Sequence, residues 1–132
     1  EDATIVNSGN DALDFSRSKV DLKDIKINNA GDKGISAGEK SIIQAKDLTI
    51  KNANIAIASK DLSELEIENI NIKNSNIAAA AYQKKSEYGP GVIKIDKINI
   101  SDTKELYLAQ RDSLIKVNNN IINPTDKNYE AY

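Results

Sequence analysis

The chain has 132 residues, enough for one domain, with 39% hydrophobic content, 18 basic against 20 acidic residues and a formal net charge of −2. It contains no Cys, His, Met or Trp. Disulfides, thiolate nucleophiles, imidazole bases and nearly all zinc or copper sites are thereby excluded, and any chemistry falls to Asp, Glu, Lys, Arg or Tyr. Balanced, interspersed charge argues against a nucleic-acid surface, and no apolar run approaches the roughly 18 residues that span a bilayer.

The pattern is already under way where the chain opens. Glu1-Asp2-Ala3 is neither an initiator Met nor a signal peptide, and Ile5 with Asn7 has a spacing that recurs downstream. The chain therefore reads as a fragment of a longer solenoid whose first rung leaves an edge for upstream rungs, another domain or another chain to stack on. The next rung starts with Leu13-Asp14-Phe15 and passes through Val20 and Leu22 to Ile25-Lys26-Ile27-Asn28-Asn29. Ile35-Ser36-Ala37, Ile43, Ala45 and Leu48-Thr49-Ile50-Lys51-Asn52 repeat it, as do Ile57-Ala58-Ser59, Leu65, Ile67 and Ile70-Asn71-Ile72-Lys73-Asn74. Ala79-Ala80-Ala81, Ile93, Ile95 and Ile98-Asn99-Ile100-Ser101-Asp102 form a further rung, and Leu106-Tyr107-Leu108, Ile115 and Val117 open the last.

The column isoleucines Ile5, Ile27, Ile50, Ile72, Ile100 and Ile122 are separated by 22, 23, 22, 28 and 22 residues. A fixed period of roughly 20 to 50 residues marks a solenoid, and apolar-polar alternation within each run marks strands buried on one face. Residues 61–73 can be drawn as an amphipathic helix on Leu62, Leu65 and Asn69, but Leu65, Ile67, Ile70 and Ile72 fit a bent strand that every rung repeats. The expected fold is an all-β, right-handed parallel β-helix of about five to six rungs of ~22 residues over 1–122, then a polar C-terminal tail or cap over 123–132.

Asn29, Asn52, Asn74 and Asp102 fall at one turn position. They predict a stacked side-chain ladder; the plainer reading is that Asn merely tolerates a left-handed turn, and the two are compatible. Asn10, Asp11 and Asp14 make a calcium site conceivable, but three oxygens in a loop are common and the glycine-aspartate nonapeptide repeat is missing, so neither a metal nor a cofactor is expected. Asn99-Ile100-Ser101 matches the glycosylation sequon inside a strand, where it is coincidental.

The 28-residue interval locates an insertion, Tyr82-Gln83-Lys84-Lys85-Ser86-Glu87-Tyr88-Gly89-Pro90-Gly91, closed by a Gly-Pro-Gly turn. Tyr82 and Tyr88 beside Lys84, Lys85 and Glu87 suit a sugar or acidic glycan, or else make an ordinary solvated loop with a tyrosine packed on the rod. Charged pairs follow the first strand of successive rungs: Glu39-Lys40, Lys60-Asp61, Lys84-Lys85 and Arg111-Asp112. They read as a surface ion-pair network or as the floor of a groove, so Lys60 and Asp61 join the candidate ligand-binding set. The outward first-strand positions, taken as Asp14, Ser36, Ala58, Ala80 and Tyr107, offer no carboxylate pair for glycoside hydrolysis. Ala58 and Ala80 instead predict a smooth patch for a partner surface or sugar face. No catalytic residue is assigned.

The segments Gly31-Asp32-Lys33-Gly34-Ile35-Ser36-Ala37-Gly38-Glu39-Lys40-Ser41, 55–61 and 79–85 resemble the right-handed β-helix repeats of bacterial pectate-lyase-like proteins. More narrowly they are similar to β-helix regions of spore-coat-kinase-like surface proteins. The resemblance covers roughly 5–122 and implies an extracellular or cell-surface location and a glycan connection. The catalytic Asp, Lys and Arg stacks of the lyases have no counterpart here. The expected function is a non-catalytic, rigid scaffold carrying a carbohydrate- or protein-binding surface; the alternative is part of a polysaccharide lyase, epimerase or hydrolase whose active site lies partly outside the chain.

Overall fold

Isoleucine at every second position and Asn or Asp at the corners set the two demands that the backbone meets. The computed structural model describes residues 3–132. The strands are β1 (Ala3–Ser8), β2 (Leu13–Ser16), β3 (Lys19–Ala30), β4 (Lys33–Gly38), β5 (Ile42–Lys51), β6 (Ile55–Lys60), β7 (Glu64–Lys73), β8 (Ile77–Tyr82), β9 (Val92–Ser101), β10 (Glu105–Ala109), β11 (Leu114–Val117) and β12 (Asn120–Ile121). They wind into a parallel β-solenoid of about 5 turns with ~22 residues per turn, 62% strand, and no α-helix among the described residues.

A long sheet has the order β1-β3-β5-β7-β9-β11-β12 and a short one β10-β8-β6-β4-β2. Registers follow the sequence columns: Ile5 pairs with Ile27, Ile27 with Ile50, Ile50 with Ile72 and Ile72 with Ile100. Val20, Ile43, Leu65, Ile93 and Ile115 stack in the same way. The long strands bend where the β3–β5 ladder skips Asp24 and Asp47, whose φ values of 53° and 58° turn the chain through left-handed geometry.

Between the sheets Ile27, Ile35, Ile50, Ile57, Leu65, Ile72 and Ile93 are all at most 2% exposed. Each buried aliphatic side chain of this size contributes about 1.5–3 kcal/mol, so the narrow aliphatic interior dominates stability.

Two expected registers change. Tyr107 pairs with Ala79 and Leu108 with Ala80, so the first-strand triad of the last rung is Tyr107-Leu108-Ala109, with Tyr107 and Ala109 facing inward and Leu108, not Tyr107, outward. Leu106 is left 49% exposed. Ile122 does not stack over Ile100: Asn118 and Asn119, at φ 47° and 65°, make a tight turn, and β12 returns antiparallel on β11. Two left-handed residues match the twist of a two-residue hairpin, which ends the parallel stack on a short strand rather than on an open ladder.

Asparagine ladders form, with one break in the expected column. Asn29 Nδ2 donates to Asn7 Oδ1 at 2.7 Å and Asn74 Nδ2 to Asn52 Oδ1 at 2.6 Å. Asn52 Nδ2 reaches Asn28 rather than Asn29, and Asp102 makes no side-chain hydrogen bond there. All four turn residues lie at φ between 49° and 60°, so the ladder and the left-handed turn coexist. A second ladder runs Asp32, Asn54, Asn76. A serine ladder follows a corner, with the Ser18 and Ser41 amides donating to the Ser41 and Ser63 hydroxyls.

Candidate functional site

The insertion folds back along the rod instead of standing away from it. Asp61, wholly buried, accepts the Lys84 and Lys85 amides on Oδ1 at 2.8 Å each. Gln83 Nε2 donates to the Lys85 and Tyr88 carbonyls, while the Leu62 amide donates to the Gly89 and Pro90 carbonyls. A Cβ on Gly91 would lie 2.0 Å from the Ser59 carbonyl oxygen, so the returning chain must be glycine there. These contacts carry Tyr88 past the 60–63 corner to the corners 39–42 and 17–19, two and three rungs from its own, which join the short sheet to the long one.

There the Tyr88 hydroxyl accepts from Arg17 Nη2 at 2.8 Å and donates to Glu39 Oε2 at 3.3 Å. Glu39 also accepts from the Ser16 hydroxyl at 2.8 Å and lies 3.3 Å from Lys85 Nζ and 3.6 Å from Arg17 Nη2. The Ser16 hydrogen bond first, then the Lys85 ammonium, hold the Glu39 carboxyl below the usual glutamate range. Tyr88 is thus fixed at its hydroxyl, and Lys40 Nζ sits 6.0 Å from its ring centroid. Arg17, Ser18, Lys19, Lys40, Ile42 and Tyr88 line an open groove of about 490 Å3. Arg17, Glu39 and Lys40 have φ of 50°, 51° and 65°. Glycine or asparagine would adopt that geometry at less cost, so the long charged side chains are kept against local backbone preference.

The expected ligand set is therefore divided. Tyr88, Lys85 and the exposed Lys84 and Glu87 lie on the insertion, with Tyr88 lining the groove and Lys85 beside it on Glu39. Asp61 is a buried anchor of the loop backbone, unable to reach a ligand. Lys60 belongs to the outer face of the short sheet: its chain passes 3.2 Å from where a Cβ on Gly38 would be. Burial, then the Lys33 and Lys84 charges, lower its ammonium pKa, with Asp14 opposing.

Tyr82 is wholly buried on that same outer face, stacked on Tyr129 at a centroid distance of 5.7 Å and edge-on to Tyr132. Its hydroxyl has no hydrogen-bond partner among the described residues, and burial pushes its pKa well up. Ala58 and Ala80, expected to be a bare patch, are 0% exposed because residues 123–132 cover them. This strap starts with the Thr125 amide on the Ala109 carbonyl and Lys127 Nζ on Glu105, both at 2.8 Å. It passes through a short 3-10 turn, Tyr129–Ala131, capped by Asn128, to the Tyr132 carbonyl, which accepts from Lys33 Nζ at 2.8 Å. The apolar face found its partner within the chain, which alternation alone does not reveal.

Arg17 and Lys19 were not singled out in the sequence. Their signal is a corner shared with Lys40, since Lys19 pairs with Ile42 across the rungs. No group of acidic residues suited to a metal occurs among the described residues, and no helix is long and apolar enough to cross a membrane. The fold and corner groove define a parallel β-solenoid with a side-chain-lined site. No protein-family model, curated protein or solved structure matches the chain.

Proposed function

We propose that this chain is a rigid, non-catalytic solenoid scaffold that presents a carbohydrate-binding groove at its corner. One observation carries the reading: the ten-residue loop 82–91, six residues longer than the regular rung allows, is folded back by hydrogen bonds to the buried Asp61 so that Tyr88 meets Arg17, Lys19 and Lys40. An aromatic face fixed at one edge, beside convergent donors, stacks on a sugar ring and bonds its hydroxyls without ordering a mobile loop. The resemblance to bacterial pectate-lyase-like β-helices and to spore-coat-kinase-like surface proteins agrees with a glycan ligand and an extracellular or cell-surface location. The N-terminal rung, with β1 and β2 at the edges of their sheets, is the place for a neighbouring domain or chain to stack. Calorimetric titration with an oligosaccharide panel tests the reading: binding that Tyr88→Ala abolishes is expected, and binding indifferent to Tyr88→Ala overturns it.

The enzymatic alternative keeps one specific support. Lys60, its amine pKa lowered by burial, shares the outer face of the short sheet with Asp14, a pairing of base and carboxylate used in proton abstraction from sugars. Turnover of an acidic polysaccharide by the full-length protein, lost on Lys60→Ala, favours this reading over the scaffold.

A further inference from the structure

We infer that the corner groove selects an acidic polysaccharide, reading carboxylate or sulfate groups through Arg17, Lys19 and Lys40 while Tyr88 packs on a sugar ring; this rests on the groove being the ligand site. The chain as a whole is slightly acidic, with a net charge of −2, yet the groove lining holds three cations and no acid. Glu39, the carboxylate that meets Tyr88, is also taken up by Ser16, Arg17 and Lys85 and pairs with neither Lys19 nor Lys40. Neither Lys19 nor Lys40 has an ion-pair partner among the described residues. On the long sheet Lys46 meets Glu68 and Lys94 meets Glu64 and Glu66, while its other lysines, like Lys19, have no ion-pair partner among the described residues; what sets the groove apart is that three cations converge on one aromatic ring. Two unpaired lysines and Arg17 converging on one fixed aromatic ring favour a polyanion over a neutral glycan. The left-handed backbone at Arg17 and Lys40 fits this role, because glycine there would satisfy the turn and forfeit the charge.

The test uses the full chain and two probes with the same backbone: a hexamer of a uronic acid and its uncharged methyl ester. The acid is expected to bind at least about tenfold more tightly than the ester, with an affinity that falls as salt rises. Lys19→Gln and Lys40→Gln are each expected to weaken acid binding about tenfold. Lys73→Gln, at the exposed end of strand β7, should leave it unchanged. Lys40→Gly separates site from fold: it should melt no lower than wild type while losing acid affinity. Ester binding equal to acid binding, both lost on Tyr88→Ala, overturns the charge selection and leaves the groove as a neutral-glycan site. Binding of neither probe overturns both readings, and acid binding that Lys73→Gln weakens as much as Lys40→Gln overturns the assignment to this groove.

Discussion

Replacing Tyr82 by Phe isolates the energetic effect of a single hydroxyl. Tyr82 is 0% exposed, and its ring stacks on Tyr129 while its oxygen meets no donor or acceptor among the described residues. Burying a hydroxyl without a hydrogen bond costs about 1–3 kcal/mol in proteins, and phenylalanine keeps the ring contacts. The variant should therefore be more stable by about 1–2 kcal/mol; with an unfolding entropy near 2.1 cal/mol/K per residue this raises the melting temperature by about 3–7 °C. The hydroxyl also couples stability to pH. Its folded-state pKa lies above the ordinary value of 10.0, so the neutral phenol's stabilisation is complete below about pH 10 and is lost as pH rises beyond it. Wild type should lose melting temperature on going from pH 9 to pH 11 more steeply than Tyr82→Phe. Melting followed by circular dichroism at both pH values measures the two effects, and a Phe variant that is equally or less stable at pH 9 refutes the reasoning, because the hydroxyl would then have a partner.

Asp61→Ala strips two backbone amides of their acceptor, and should lower stability by about 2–4 kcal/mol in chemical denaturation and abolish ligand binding with Tyr88 still present. Gly91→Ala forces a methyl group against the Ser59 carbonyl and should cost at least about 1–3 kcal/mol by the same measurement. Asn52→Ala should be less stable than Asn52→Gly, because φ of 58° penalises alanine while both variants lose the same ladder bonds; equal melting temperatures would mean that turn geometry contributes nothing. The Glu39 carboxyl titrates below its ordinary 4.5, so its hold on Arg17, Lys85 and Tyr88 is present above that value and lost as pH falls through the lower folded-state value; binding by the groove should persist at pH 5 and fail only in stronger acid.

Periodicity carried the rod. Apolar side chains recur every ~22 residues because each rung must place the same atoms over the same atoms, so the columns through Ile27, Ile50 and Ile72 were legible, as were the left-handed turns at Asn29 and Asn52. The insertion was legible too, as a lengthened interval, and so was Tyr88 as one of its candidates. The last rung misled because Leu106-Tyr107-Leu108 alternates as well in either register, and only stacking on Ala79 and Ala80 chose between them. Side chains meeting across rungs left no local mark: Glu39 with Lys85, Arg17 with Tyr88, and Tyr82 with Tyr129 are 46, 71 and 47 positions apart. A strand pattern states which face is apolar and not what covers it, so the strap over Ala58 and Ala80 and the burial of Tyr82 and Asp61 were decided by tertiary structure alone. Repetition writes the core into the sequence because every rung obeys the same constraint, whereas the groove and the strap each occur once and arise only when distant segments are brought together.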